Sequence, residues 1–139
     1  MDGRFYQGIR EFNSGRYFEA HEVLEDLWHE YRETDRTFIQ GLIQISAGFY
    51  HLQCANWKGT ASQLSKGIKK LEAYKPKHLA IELDGFLMQI QQCLDAVNEL
   101  MEGKGVDPKT TVIPKMIVEK TLAEQPNEFL AAPPFLEML

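Results

Sequence analysis

Cysteine is scarce: Cys54 and Cys93 are the only two. Neither sits in a Cys-x-x-Cys spacing, which excludes a disulfide-stapled scaffold and suits free thiols in a reducing cytoplasm. Proline is almost missing before Lys104, where Pro76 stands alone, so little interrupts long helices there. A glycine-rich phosphate loop is absent, because Gly3, Gly8 and Gly15 are scattered and no strand pattern precedes them. Unbroken apolar runs are lacking as well. Thr37 to Trp57 holds no Asp, Glu, Lys or Arg, yet Gln40, Gln44, Ser46, His51, Gln53 and Asn56 interrupt it. A spanning helix needs about 18 or more predominantly apolar residues, so this segment reads as a central helix covered by protein. Met1-Asp2-Gly3-Arg4 carries no apolar run of a secretion signal. The expectation is a cytoplasmic protein with no membrane partner. Basic charge is in deficit, 15 Lys and Arg against 20 Asp and Glu for a net charge of −5, which argues against a nucleic-acid partner. Lys58, Lys66, Lys69, Lys70, Lys75 and Lys77 read as a solvated face rather than an RNA or phosphate site.

What remains is an ordinary globular composition, 44% hydrophobic and 25% charged over 139 residues, enough for one domain with a full core. Apolar spacing predicts five helices. The first covers Arg4 to Asn13 with Phe5, Ile9 and Phe12 on one face, and Gly15 ends it. The second runs from Tyr17 to about Glu33 on a stripe of Tyr17, Ala20, Leu24, Leu27, Trp28 and Tyr31. The third follows Asp35 as N-cap and carries Phe38, Leu42, Ile45, Phe49 and Leu52. Asn56 caps the fourth, whose inner positions are Trp57, Ala61, Leu64, Ile68 and Leu71, and Pro76 closes it. The fifth spans about Lys77 to Glu102. No segment alternates with period two for long enough to suggest a sheet. The fold class is all-α, a compact bundle of about five helices in antiparallel hairpins.

Residues 1–103 form that bundle domain. Residues 104–139 form a proline-interrupted, apolar C-terminal arm that packs on the bundle or on a partner, with a short helix expected over Val118 to Glu124. The apolar stretches 112–118 and 129–139 are the candidate surfaces for a protein partner or a second copy of the chain.

The densest polar signal lies on the second and third helices. His21 and Glu25, four residues apart, share a flank beside the apolar stripe, while Glu22 lies further round. On the third helix Gln40, Gln44 and His51 fall on one line, with the small Ala47 and Gly48 between them. A helix without charge to face water half-buries that line, and buried amides and imidazoles need partners. Glu22 and Glu25 are the obvious ones, with Arg36 placed to grip either carboxylate. On that pairing, Glu25→Ala should cost a few kcal/mol. The plainer reading is a structural hydrogen-bond network fixing the angle of two packed helices, beside which a groove for a small ligand or protein can lie. His21, Glu22, Glu25 and His51 are equally suitable ligands for a divalent metal, or an acid/base pair for a hydrolase. The sequence requires no cofactor and leaves enzymatic activity open. Neither His-Glu-x-x-His nor a paired Glu-x-x-His pattern is present.

Three runs resemble one family. Phe12-Asn13-Ser14-Gly15-Arg16-Tyr17-Phe18-Glu19-Ala20-His21-Glu22-Val23-Leu24-Glu25-Asp26-Leu27-Trp28, then Arg36-Thr37-Phe38-Ile39-Gln40-Gly41-Leu42-Ile43-Gln44-Ile45, and Asn56-Trp57-Lys58-Gly59 are similar to the signature of domain-of-unknown-function family 309. The resemblance covers about residues 5 to 75. It implies a compact all-helical domain and points to Glu22, Glu25, Trp28, Arg36, Gln40, Gln44, His51, Asn56 and Gly59. It supplies no reaction. Thr60, where the family pattern often has alanine, departs from it, and the tail beyond Gly105 has no counterpart.

Overall fold

A computed structural model describes residues 2–105, 107–108 and 112–119. Among the described residues the chain is an all-α bundle of five α-helices: α1 (Gly3–Asn13), α2 (Tyr17–Glu30), α3 (Arg36–Gln53), α4 (Trp57–Leu71) and α5 (Asp84–Met101). A single 3-10 turn, Glu72–Tyr74, follows α4. Two short strands, β1 (Lys77–His78) and β2 (Ile81–Glu82), pair antiparallel before α5. Each helix packs on the next in the chain, as short connections dictate. Phe12 on α1 meets Phe86 on α5 at a centroid distance of 5.8 Å, closing the bundle. Among the described residues no helix is long and apolar enough to cross a membrane.

Local chemistry accounts for the helix ends. Asp2 accepts from the Arg4 N–H at 2.8 Å and caps α1, and Gly15 takes φ +79° just beyond it, a conformation that costs glycine nothing. Asn56 caps α4 by accepting from the Gly59 N–H at 3.0 Å. Asp35 stands at the start of α3 but gives no side-chain cap, because its carboxylate is engaged elsewhere. The α3–α4 contact is close because glycines line it. A Cβ on Gly48 would sit 2.6 Å from a Leu64 methyl, and one on Gly67 would sit 3.0 Å from the Gly41 carbonyl oxygen. The small Gly48 on the third helix does admit its neighbour.

Two boundaries differ from the periodicity. The second helix stops at Glu30, since Tyr31 turns extended at φ −84°, ψ 121°. That turn lets its hydroxyl donate to Asp35 at 2.9 Å while its carbonyl accepts from Arg36 Nε at 2.9 Å. The fifth helix begins at Asp84 rather than Lys77, because Leu79 and Ala80 adopt positive φ of 47° and 64° and turn the chain into the β1–β2 hairpin. Helical spacing would bury Leu79 and Leu83 together, whereas the hairpin buries Ile81 and Leu83, two residues apart as a strand requires, and that alternation is too short to stand out from the helical pattern that follows.

The hairpin has a distant partner. Val118 bridges Ile81, Glu82 N–H donates to the Ile117 carbonyl at 3.0 Å, and Glu119 N–H donates to the Ala80 carbonyl at 2.7 Å. Lys77 and Glu119 form an ion pair across the same edge. Met116 and Val118 are buried with the bundle core, while Val112 and Ile117 stay exposed. The helix expected over Val118 to Glu124 and the apolar stretch 129–139 lie outside the described residues, Val118 and Glu119 excepted.

Candidate functional site

The polar flank of α2 faces the polar line of α3, and between them opens a groove of about 340 Å³ that reaches α4. From α2 come His21, Glu25 and Trp28. From α3 come Gln40, Gln44 and His51, with Ile43 and Ala47 as the apolar floor. Gln63 closes the far side from α4. Residues 21, 25 and 28 recur at helical spacing, as do 40, 44, 47 and 51, so one face of each helix supplies the whole wall.

Hydrogen bonding fixes part of this wall. His21 Nε2 lies 3.3 Å from a Glu25 carboxylate oxygen, and His29 Nε2 lies 3.9 Å from the other. The Gln44 carbonyl oxygen accepts from Lys70 Nζ at 3.0 Å. Asn56 Nδ2 approaches His51 Nδ1 at 3.3 Å. Because the Asn56 oxygen already serves the Gly59 N–H, its NH2 faces the imidazole, so neutral His51 accepts at Nδ1 and carries its proton on Nε2. The Phe18 ring stacks on His21 at 6.3 Å between centroids and covers that end.

Two wall atoms are left over. His21 Nδ1 and Trp28 Nε1 are buried and have no hydrogen-bond partner among the described residues. Native proteins rarely leave such groups unpaired, since each costs about 1–3 kcal/mol.

Several sequence-derived site residues stand apart from the groove. Glu22 is exposed on the outer face, about 100° round the helix from His21. Arg36 grips neither carboxylate. Its guanidinium lies 3.7 Å from the Trp28 ring centroid while Nε donates to the Tyr31 carbonyl, so the extended Tyr31 carbonyl holds the arginine that was expected to grip Glu22 or Glu25. Glu25, 44% exposed at the side chain, therefore does not neutralise a buried cation, and the expected loss of a few kcal/mol on its removal is withdrawn. Asn56 acts through His51 rather than at the wall. Among the described residues no three His, Cys, Asp or Glu side chains converge as metal ligands. The set His21, Glu22, Glu25 and His51 thus fails geometrically, because Glu22 points away.

Sequence reasoning missed Gln63 and Lys70. Their seven-residue spacing puts both on one line of α4 beside its apolar stripe, which was the available signal. It also missed a second polar cluster. Asp35 accepts from the Tyr31 hydroxyl and lies 2.6 Å from His78 Nε2, with Phe38 and Tyr74 against the imidazole at 4.7 and 4.6 Å. Burial and this carboxylate push the Tyr31 phenol up to about 12. His78 joins only because the hairpin swings it back, which no local pattern encodes.

Fold and groove together define a small helical-bundle domain with a polar cleft across three successive helices. The family described as a domain of unknown function, DUF309, matches residues 5–63, bearing out the resemblance over that stretch. Every residue lining the groove falls inside it. The chain is also 35% identical over 88 residues to the uncharacterized protein YpuF of Bacillus subtilis (strain 168), a match covering 59% of this chain and 49% of that protein. The chain thus spans about half the length of this relative.

Proposed function

We propose that this chain is a binding domain for a small polar molecule, held in the groove between α2, α3 and α4. The groove itself carries this reading, since His21, Glu25, Gln40, Gln44, His51 and Gln63 from three helices line one opening and offer it both hydrogen-bond donors and acceptors. The volume lies at the lower end of ordinary ligand sites, about 300–1,000 Å³, and the floor of Ile43 and Ala47 offers apolar contact beside the polar wall. The two free thiols, Cys54 exposed and Cys93 buried, favour the cytoplasm as its compartment. The described part of the arm, 112–119, belongs with the bundle by its packing, which leaves Val112 and Ile117 for a protein contact.

The test is a screen of small polar compounds by two-dimensional NMR on labelled protein. Binding should move the Trp28 indole N–H and signals of His21 and Gln63 together. Ala47→Leu, which fills the floor from a half-buried position, should abolish the shifts while the protein stays folded. Shifts that ignore these residues, or that survive Ala47→Leu, would refute the assignment.

A further inference from the structure

We infer that the groove's ligand is a neutral polyhydroxylated ring, a sugar, held between the α2 and α3 walls; the inference rests on the ligand-binding reading above. Neighbouring contacts fix the roles of several wall groups. The Gln44 carbonyl oxygen is taken by Lys70 Nζ at 3.0 Å, which leaves the Gln44 NH2 to donate. The Asn56 NH2 meets His51 Nδ1 at 3.3 Å, which leaves the His51 proton on Nε2 as a second donor from the same helix. On α2 the Glu25 carboxylate, half exposed, only accepts.

These groups are open to a molecule in the groove. Gln40, Gln44, His51 and Gln63 are all half-buried. Among the described residues, the buried side-chain nitrogens and oxygens that lack a partner belong to His21 and Trp28. The Gln44 NH2, the His51 Nε2–H and the amides of Gln40 and Gln63 bond to no described residue, so they reach water. The wall therefore offers donors on α3, an acceptor on α2, and two further amides able to do either.

A hydroxyl both donates and accepts, so a ring with hydroxyls around its rim satisfies both walls without carrying charge. Its C–H face suits the floor of Ile43 and Ala47, and a volume of about 340 Å³ suits a mono- or disaccharide. Charge on the ligand is disfavoured. An anion finds no lysine or arginine on the wall and meets Glu25, while the Lys70 ammonium is already bonded to Gln44. A cation competes for Glu25 with the imidazoles of His21 and His29 at 3.3 and 3.9 Å. A hydrocarbon would strip water from the open amides without replacing it.

The probes are glucose, galactose, mannose, ribose and maltose, set against the charged sugars glucose 6-phosphate, glucuronate and glucosamine. The side-chain NH2 signals of Gln44 and Gln63 are followed by two-dimensional NMR, with calorimetry for affinity. The expected result is saturable binding of at least one neutral sugar, with each charged sugar at least about tenfold weaker than the best neutral one. Gln44→Glu keeps the length of the side chain and an oxygen for Lys70 but removes the donor, and should weaken binding about tenfold or more. Glu25→Ala, at a half-exposed position, removes the opposing acceptor and should lose as much; circular dichroism verifies both folds. A charged sugar that binds as tightly as the best neutral one, or full affinity in both variants, would overturn the sugar class while leaving the groove a ligand site. Silence from every sugar would overturn it too, and the compound screen with Ala47→Leu then judges the broader reading separately.

Discussion

Asn13 and Glu25 are both polar residues of the first two helices, and their surroundings give them opposite weight. Asn13 is 6% exposed and bonded at both ends of its amide, accepting from the Met116 N–H at 2.8 Å and donating to the Met116 carbonyl at 3.0 Å. Asn13→Ala leaves two buried backbone groups without partners, so a loss of about 2–4 kcal/mol is expected. Glu25 is half exposed, and its ion-pair partners among the described residues are the imidazoles of His21 and His29. Glu25→Ala should cost less than about 1 kcal/mol, the scale of exposed pairs. Urea denaturation of both variants decides the order, and equal losses would contradict this account. The contrast also marks what single residues disclose. The stacking of His21 with Glu25, and of Gln40 with Gln44 and His51, follows from helical geometry and was legible. The partner of Arg36 was not, because one residue leaving the helix at Tyr31 redirected it. Asn13 looked like the last residue of a helix, and its true partner is 103 positions away.

Elements were legible in proportion to how locally they are held. Helices α1 to α4 follow from apolar spacing and caps, and the structure keeps them within a few residues of expectation. The hairpin between α4 and α5 was not legible, because its stability comes from the edge formed with residues 117–119. Its turn carries two non-glycine residues at positive φ, Leu79 and Ala80, a conformation costing roughly 1–2 kcal/mol for an L-residue. Leu79 and Ala80 both pack against the core, and Ala80 gives up only a methyl group, so the exchange that relieves the turn at least cost is Ala80→Gly. Weighed against the extra freedom glycine gains in the unfolded chain, a stabilisation of about 0.5 kcal/mol is expected. Gly15→Ala, at φ +79°, should lose about 1 kcal/mol by the same reasoning run in reverse. Thermal unfolding of the two variants should therefore shift in opposite directions. A fall in melting temperature for Ala80→Gly as large as for Gly15→Ala would show that the hairpin turn is not strained.

Across the whole molecule, the arm meets the bundle at a thiol that titrates in alkali. Cys93 on α5 donates its thiol proton toward the Val112 carbonyl at 3.6 Å, and burial pushes it from 9.0 up to about 11. Burial likewise raises Tyr17, in the core beneath Phe12 and Phe49, from 10.0 to about 12. Both groups hold their proton more tightly folded than unfolded. Below about pH 9 both states are protonated and neither group affects stability. As pH rises from about 9 the unfolded chain releases protons that the folded one retains, so stability falls, first through Cys93 and then, from about pH 10 to 12, through Tyr17 and the Tyr31 phenol beside Asp35. The free energy of unfolding should thus decline steadily over pH 9–12. Cys93→Ala separates the thiol's contribution from that of the phenols. The variant is less stable at neutral pH because it opens space in the core, yet its stability should stay flatter between pH 9 and 10, where Cys93 would otherwise dominate the loss. Denaturant titrations at half-unit pH steps measure that slope directly, and the slope is independent of the cavity penalty, which offsets every point alike. An unchanged slope in Cys93→Ala would mean that the thiol sits in water rather than sealed between α5 and the returning arm.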